Sequence, residues 1–271
     1  MSQFAPPASG RRGAVSDALS QAGMLLGFAG QSAAALVRVL RRGRLAWREC
    51  VEQTWFLASV TTLPALLVTI PLGVLVALNV GSMAGQLGAE GYGGAVVAFV
   101  IVAQAAPLIV ALMMAGVGGS AICADLGART IREEVEAMEV MGLPAVERLV
   151  VPRLLAAVAV TMLLACLVMA VGITASFVFQ VTVMDTSAGS FLATLTRFSR
   201  TSDFVVAEVK AAAFGVLAAL VASFKGLTAR GGPSGVADAV NEAVVLAFIL
   251  VFVANTVLSQ LYVAVSGTGV G

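Results

Sequence analysis

Two groups of charged residues stand out in this chain, because almost everything around them is apolar. The first lies in the stretch DLGARTIREEVEAMEVMGLP, residues 125–144, which combines arginines with several glutamates. The second is the pair Glu208 and Lys210, which stands inside an otherwise apolar segment. The chain has no histidine, and its three cysteines form no CxxC pair. We therefore expect no Ser-His-Asp triad, no metal site and no disulfide framework, and we assign no catalytic residue.

The composition predicts an integral membrane protein. The chain is 59% hydrophobic and 11% charged, whereas soluble domains contain about 25% charged residues. Four charge-free runs of 29 to 37 residues occupy positions 53–89, 91–124, 154–184 and 243–271. A run of about 18 apolar residues already suffices for a helix to cross a bilayer. The net charge of +1 gives no indication of a nucleic-acid partner.

We predict an all-α integral membrane protein, with an N-terminal interfacial helix, about five transmembrane helices and a short cytoplasmic coupling helix. Residues 1–50 form a cytoplasmic tail and the interfacial amphipathic helix, which covers 15–45 and carries arginines near its C-terminal end. A loosely ordered tail is the alternative. Residues 51–271 form the transmembrane domain, whose spans are predicted at about 55–80, 95–121, 150–181, 204–224 and 242–265. The glycine-rich sequence 79–94 predicts an outer loop after the first span.

The arginines and lysines predict the orientation of these spans. Thirteen of the 16 basic residues fall before the first span, between spans two and three, or between spans four and five. Arg148 and Arg153 are counted here as residues of the second of these segments. Because cytoplasmic loops carry the excess of basic residues, we expect a multi-pass protein of the plasma (inner) membrane with a cytoplasmic N-terminus.

The first charged group predicts a cytoplasmic helix of about three turns, at residues 130–142. Thr130 and Glu133 fit a capping box that begins the helix, and Gly142 and Pro144 supply the signal that ends it. One interpretation is a solvated connector, stabilised by the pairs Arg129–Glu133 and Arg132–Glu136. The other is a docking helix for a cytoplasmic partner, with acidic residues around an apolar edge formed by Met138 and Met141.

Several motifs carry a resemblance to a known family. The sequences EEVEAMEVMGLP and LVVPR resemble the signature of the MlaE/YrbE permeases. The sequences GSAICADLGARTIREE and FKGLTARGGPSGVADAVNEAVV are similar to the actinobacterial YrbE proteins of Mce systems, in particular the A-type of the A/B pair. The resemblance covers about residues 50–265. Within the motif, Glu136 stands where the family usually has Asp, and Glu139 often replaces a basic residue.

This resemblance implies one permease half of an MCE-type ABC transporter that moves lipids, namely fatty acids, mycolic acids, sterols or phospholipids. The expected partners are a second YrbE-type permease in a heterodimer, a cytoplasmic ATPase, and MCE-domain proteins on the outer side. The ATPase would dock on the charged helix, which involves Arg129, Arg132, Glu133, Glu134, Glu136, Met138, Glu139, Met141 and Gly142.

The chain itself contains no GxxxxGK[ST] phosphate loop. We therefore predict a transporter subunit that is not an enzyme and holds no cofactor. ATP and Mg would bind to the partner ATPase.

The second charged group leaves two interpretations open. Charges inside a span are costly and often face a cavity or partner, and Lys210 is similar to a lysine of the family. Alternatively, Glu208 and Lys210 lie at the headgroup boundary with their charges directed outward. An ion- or proton-coupled secondary transporter using these two residues is the rival function, and a scaffold for other membrane proteins is a further alternative.

A lipid cavity needs only apolar side chains, and the first span offers several. We single out Leu66, Leu67, Ile70 and Leu75 as candidates for contact with acyl chains. The same residues would equally suit a helix face against the bilayer or the protein core.

Overall fold

The computed structural model describes residues 14–43, 46–86 and 92–267, with side chains for 20–43, 46–86 and 92–264. Every regular element within these ranges is a helix, which confirms the predicted all-α class. In chain order the helices are α1 (Ala14–Arg42), α2 (Trp47–Gln86), α3 (Gly93–Ile131), α4 (Glu134–Val140), α5 (Val146–Thr182), α6 (Ala188–Phe198), α7 (Thr201–Leu227) and α8 (Gly232–Gly267).

Six of the described helices are long and apolar enough to cross a membrane. Five of them, α2, α3, α5, α7 and α8, contain the five predicted spans, and the sixth is the Ser20–Arg42 part of α1. The helices extend beyond the predicted spans, because backbone hydrogen bonds continue into segments that are no longer apolar. The predicted outer loop, residues 79–94, therefore begins within a helix: α2 continues to Gln86.

The helix ends divide the bundle into two sides. The ends of α3 and α7 and the start of α5 lie next to α4, and we call this side the α4 end. On the opposite side, α6 packs on the start of α3, where the backbone of Phe191 lies close to Gly94.

Helix α1 lies across the α4 end instead of running alongside the bundle. The rings of Phe28 and Phe224 are 5.6 Å apart between centroids, and Phe224 belongs to the last turn of α7. Ala35 and Val39 pack on Val151, near the start of α5. All of these contacts fall at the ends of α5 and α7, as expected for an interfacial helix.

Small residues bring the long helices into close contact. The Ser176 hydroxyl of α5 donates a hydrogen bond of 2.7 Å to the Gly73 carbonyl of α2. A Cβ atom at Gly73 would lie only 2.8 Å from the Gly172 carbonyl oxygen. A Cβ atom at Gly226 of α7 would likewise lie 2.8 Å from the Cys123 carbonyl oxygen of α3. These glycines let the helix backbones approach each other, as small residues do in membrane helix pairs. The close contacts join α2 to α5 and α3 to α7.

Candidate coupling site

The link between α3 and α4 differs from the predicted capping box. Thr130 lies inside α3, and its hydroxyl donates to the carbonyl oxygens of Leu126 at 2.9 Å and Gly226 at 3.3 Å. Glu133 instead precedes α4, with a left-handed backbone (φ 59°, ψ 14°) and no side-chain capping hydrogen bond. The helix therefore begins at Glu134, later than the predicted 130, and has 7 residues, about two turns.

The end of α4 agrees with the prediction. The Leu143 amide donates to the Met138 carbonyl and the Gly142 amide to the Glu139 carbonyl, each at 2.9 Å. Gly142 has φ +76°, a conformation that side chains with a Cβ atom rarely adopt. These two bonds form a Schellman motif, which satisfies carbonyls at the helix end and turns the chain back toward α5.

Helix α4 buries one side and leaves apolar residues exposed on another. Val135 is buried in the core at the α4 end, and Met138 is half-buried against the same core. Val140 and Met141 are 89% and 67% exposed. The predicted apolar edge is thus wrong in one member: Met138 faces the bundle, and Val140 joins Met141 on the exposed side.

The charged residues around α4 form pairs that differ from the predicted ones. Arg129 Nε lies 3.3 Å from Asp125 Oδ1, and Arg132 Nε lies 3.1 Å from Glu134 Oε1. The predicted pairs with Glu133 and Glu136 do not form, because Glu133 leaves the helical path and breaks the i,i+4 spacing. Both of these glutamates are exposed, as are Arg132 and Glu134.

An ion pair with one fully buried member connects the two helices that flank α4. The Arg153 guanidinium of α5 is fully buried and donates to Asp125 Oδ2 of α3 and, at 2.6 Å, to the Leu149 carbonyl. Counting Arg153 as a loop residue was therefore wrong. The available signal was its position at the edge of a charge-free run, directly after Pro152. A buried charge needs a partner, and this one holds α3 and α5 together on either side of α4.

Two further ion pairs connect the remaining helices at this end. Lys225 Nζ of α7 lies 2.7 Å from Glu242 Oε2 of α8. Arg38 Nη1 of α1 lies 2.7 Å from Glu147 Oε1 of α5. With the Arg153 pair, these contacts link α1, α5 and α3 to one another and α7 to α8 at the α4 end.

A cavity of about 850 Å³ opens beside α4. Its floor includes Phe28, Val135, Phe224 and Leu227, and its rim carries Arg230 and three glutamates, Glu133, Glu136 and Glu139. Among the described residues, no group of three or more Asp, Glu or Cys side chains is arranged to hold a metal ion. The cavity thus combines an apolar floor with a charged rim.

Glu208 and Lys210 are both turned into the bundle, with 7% and 3% of their surface exposed. The Cys166 thiol of α5 donates to Glu208 Oε1 at 3.2 Å, while Oε2 has no hydrogen-bond partner among the described residues. Lys210 Nζ donates to the Ser259 hydroxyl of α8 at 2.9 Å. Charges directed outward to the headgroups are thus excluded, and the two residues contact different helices.

The four candidate lipid-contact residues of α2 do not line one cavity. Leu67, Ile70 and Leu75 are 64%, 48% and 56% exposed, and Leu66 is half-buried. Only Ile70 borders an apolar groove of about 520 Å³ between α2 and α5. The other lining residues of this groove are Val74, Ala170, Val171, Thr174, Ala175, Val178, Phe179 and Thr182.

Comparison with known proteins assigns the chain to a family. The family model described as Permease MlaE matches residues 50–261, which include almost all of α2, all of α3 to α7 and most of α8. The chain belongs to the MlaE permease family. Helix α1 lies outside the matched residues.

Individual relatives agree with this assignment of an MlaE-family permease. A probable ABC transporter permease protein of Synechocystis sp. is 28% identical over 228 residues, covering 84% of this chain and 86% of the relative. A probable ABC transporter permease protein of Rickettsia bellii is 25% identical over 234 residues, covering 85% and 89%. The chloroplastic protein TRIGALACTOSYLDIACYLGLYCEROL 1 of Arabidopsis thaliana is 26% identical over 227 residues, covering 84% of this chain but 65% of that protein.

The MlaE family decides between the two main functions that the sequence left open. This chain is an ABC transporter permease of the MlaE family and a multi-pass membrane protein, and such permeases are not themselves enzymes. The rival interpretation, a secondary transporter driven by Glu208 and Lys210, is not supported by these relatives.

Proposed function

We propose that this permease is the membrane subunit of an MCE-type transporter that moves lipids, driven by a separate cytoplasmic ATPase that docks on α4. The observation that carries the proposal is the form of α4, a short helix that exposes Val140 and Met141 while its flanking helices are joined by the ion pair of the buried Arg153 with Asp125. Exposed apolar residues of this kind are favourable contacts for a partner, since their burial removes apolar surface from water.

The ATPase would contact both α4 and the cavity beside it. Val140 and Met141 offer apolar anchors, and Glu134 and Glu136 offer exposed acidic side chains for basic residues of the partner. Arg129, Arg132, Glu133, Glu139 and Gly142 complete the proposed coupling residues. ATP and Mg would bind on the ATPase, and α4 would transmit the resulting motion to the bundle.

The lipid class is proposed from the relatives and the motif resemblance. The Arabidopsis relative bears the name of a galactolipid. The motifs EEVEAMEVMGLP and LVVPR support a YrbE-type permease that transports fatty acids, mycolic acids, sterols or phospholipids. The apolar groove of about 520 Å³ beside Ile70 has a lining that suits contact with an acyl chain.

The assembly and its orientation complete the proposal. A second YrbE-type permease would form a heterodimer with this chain, and MCE-domain proteins would bind on the side that carries α6. The α4 end would face the cytoplasm, because the arginines of α1 and of the α3–α5 segment lie there. The protein would then lie in the plasma (inner) membrane with its N-terminus in the cytoplasm.

Charge reversal on α4 tests the docking site. We expect Glu136→Lys to reduce co-purification of the ATPase about tenfold, the loss that 1.4 kcal/mol of interface energy represents. Asp238→Lys is the matched control, because Asp238 is also an exposed acidic residue at the α4 end but belongs to α8. Equal recovery of the ATPase with both variants would contradict the docking proposal.

A further inference from the structure

We infer that the corner between α1 and α2 binds anionic lipid headgroups in the membrane leaflet at the α4 end. The corner consists of the last turn of α1 and the first turns of α2, and we call it the arginine–tryptophan corner. It comprises Arg41, Arg42, Trp47, Arg48 and Trp55. Most of it precedes the residues matched by the family model, which begin at residue 50, so the inference does not rest on the proposed transport function.

The corner carries an excess of positive charge. Arg41 and Arg42 are exposed in the last turn of α1 and belong to no ion pair within the described part of the chain. The Arg48 side chain is 93% exposed, and its Nε lies 2.8 Å from Glu52 Oε1. An arginine presents several N–H donors in a planar fork that matches a phosphate group, so unpaired arginines at this position fit the phosphate of a lipid headgroup.

Two exposed tryptophans place the corner at the membrane surface. Trp47 and Trp55 are 72% and 77% exposed, and Val51 between them is 64% exposed. The spacing of four residues puts all three on one side of α2. Trp55 lies just inside the charge-free run that begins at residue 53. Trp47 precedes Trp55 by eight residues, which is about 12 Å along the helix. Tryptophan is enriched at this depth, where its ring contacts both acyl chains and headgroups.

Helix α1 has the surface pattern of a helix lying in the interface. Its bundle side carries Phe28, Ser32, Ala35 and Val39, which are all buried. The opposite side exposes Leu26, Val37 and Leu40, which suits contact with acyl chains. At about 100° per residue, Arg38 and Arg41 fall between these two sides, on a third side that can face headgroups and water.

These observations favour a lipid over an acidic protein as the ligand. A protein that bound the arginines would leave the two large tryptophan surfaces uncovered or would have to enter the bilayer to cover them. A lipid satisfies both features, because its phosphate can contact the arginines while its acyl chains contact the indoles. Basic clusters beside a membrane helix attract anionic lipids in this way.

The experiment uses the tryptophans as probes, since Trp47 and Trp55 are the only two in the sequence. The purified full-length chain would be placed in vesicles of phosphatidylcholine, and fluorescence would be measured as brominated phosphatidylglycerol or brominated phosphatidylcholine is added. Brominated acyl chains quench a tryptophan that they contact. At low salt, we expect brominated phosphatidylglycerol to quench the tryptophans at about one fifth of the concentration that brominated phosphatidylcholine needs. This fivefold preference should fall toward one at 1 M salt, where the Debye length is about 3 Å.

Paired variants separate the corner from general charge. Arg41→Gln with Arg42→Gln should reduce the preference to less than twofold, whereas Arg197→Gln with Arg200→Gln should leave it unchanged. The control pair is exposed, has the same charge change and lies at the opposite end of the bundle. Gel filtration and circular dichroism would show that both variants are folded.

Three results would overturn the inference. The first is equal quenching by the two brominated lipids in the unmodified chain, a measurement that depends on no variant. The second is a preference that persists after Arg41 and Arg42 are replaced. The third is an equal loss in the control pair. Because no ATPase, transport assay or partner permease is involved, failure here would leave the proposed transport function intact.

Discussion

At the scale of single residues, the buried guanidinium of Arg153 is the strongest constraint on the coupling site. It is fully enclosed, and its contacts are the Asp125 carboxylate and the Leu149 carbonyl. Asp125 differs, since 34% of its side chain is exposed and Arg129 also lies beside it. Arg153 therefore needs Asp125 as its charged partner more than Asp125 needs Arg153.

Replacing each member of this pair should reveal the asymmetry. Asp125→Leu leaves a buried charge without its partner and should lower the free energy of unfolding by about 3 to 5 kcal/mol. Arg153→Leu should cost less, because Asp125 keeps water and Arg129 as partners. The double variant should be more stable than Asp125→Leu alone. Denaturant titration in detergent measures all three, and equal losses for the two single variants would contradict this description.

The sequence predicted some of these residues and missed others for a physical reason. The stop at Gly142 was predictable, because a left-handed helix end needs glycine and the signal is local. The capping role of Thr130 was wrong, because α3 continues past it to Ile131 and the next helix begins only at Glu134. Its hydroxyl also reaches the Gly226 carbonyl, 96 residues later in the chain. The Asp125–Arg153 pair likewise joins residues 28 positions apart. Local sequence patterns predict where a helix ends, whereas contacts between distant residues depend on which helices pack together.

At the scale of helices, the contact of α3 with α7 brings the coupling site close to the bundle core. Gly226 is the residue that permits this approach, since a side chain there would meet both the Cys123 carbonyl oxygen and Leu126 Cβ at 2.8 Å. The same close approach allows the hydroxyl of Thr130 to reach the Gly226 carbonyl. A change at one glycine should therefore affect two helices.

We expect Gly226→Val to separate α3 from α7 and to lower the free energy of unfolding by about 1 to 3 kcal/mol, as overpacking typically does. Gly85→Val is the matched control, because Gly85 is also helical and a Cβ atom there has no neighbour within 4 Å. Thermal unfolding in detergent compares the two variants. A loss in Gly85→Val as large as that in Gly226→Val would show that the close contact is not responsible.

The long helices were the most predictable elements, because charge-free runs of about 30 residues fit the membrane. The interfacial position of α1 stays a prediction: its contacts fall at the ends of α5 and α7, while its Ser20–Arg42 part is also long and apolar enough to cross a membrane. The burial of Glu208 and Lys210 was not predictable. It depends on how α5 and α8 pack beside α7, because Cys166 of α5 hydrogen-bonds to Glu208 and Lys210 hydrogen-bonds to Ser259 of α8.

At the scale of the whole molecule, the source of energy for transport separates an ABC permease from an ion-coupled transporter. Glu208 and Lys210 contact different helices and are not paired with each other. Cys166 is exposed on the outside of the bundle, while Glu208 lies beneath it. We therefore regard these two residues as part of the helix packing of the permease.

The variant Glu208→Gln tests this view, since it keeps the shape of the side chain and removes its charge. In proteoliposomes containing the whole transporter, we expect ATP-dependent lipid transfer to stay within about twofold of the unmodified rate, which corresponds to roughly 0.4 kcal/mol. Transfer should also persist when an ionophore removes the proton gradient. Lipid transfer that requires the gradient and stops in Glu208→Gln would support the secondary transporter instead.

The most direct test of the whole account is to identify what accompanies this permease in its native membrane. A tagged full-length chain would be purified in a gentle detergent, and the proteins that follow it would be identified by mass spectrometry. We predict the recovery of a second permease, a soluble ABC ATPase and MCE-domain proteins. Recovery of the chain alone, or only with copies of itself, under conditions that preserve a known membrane complex would contradict the account.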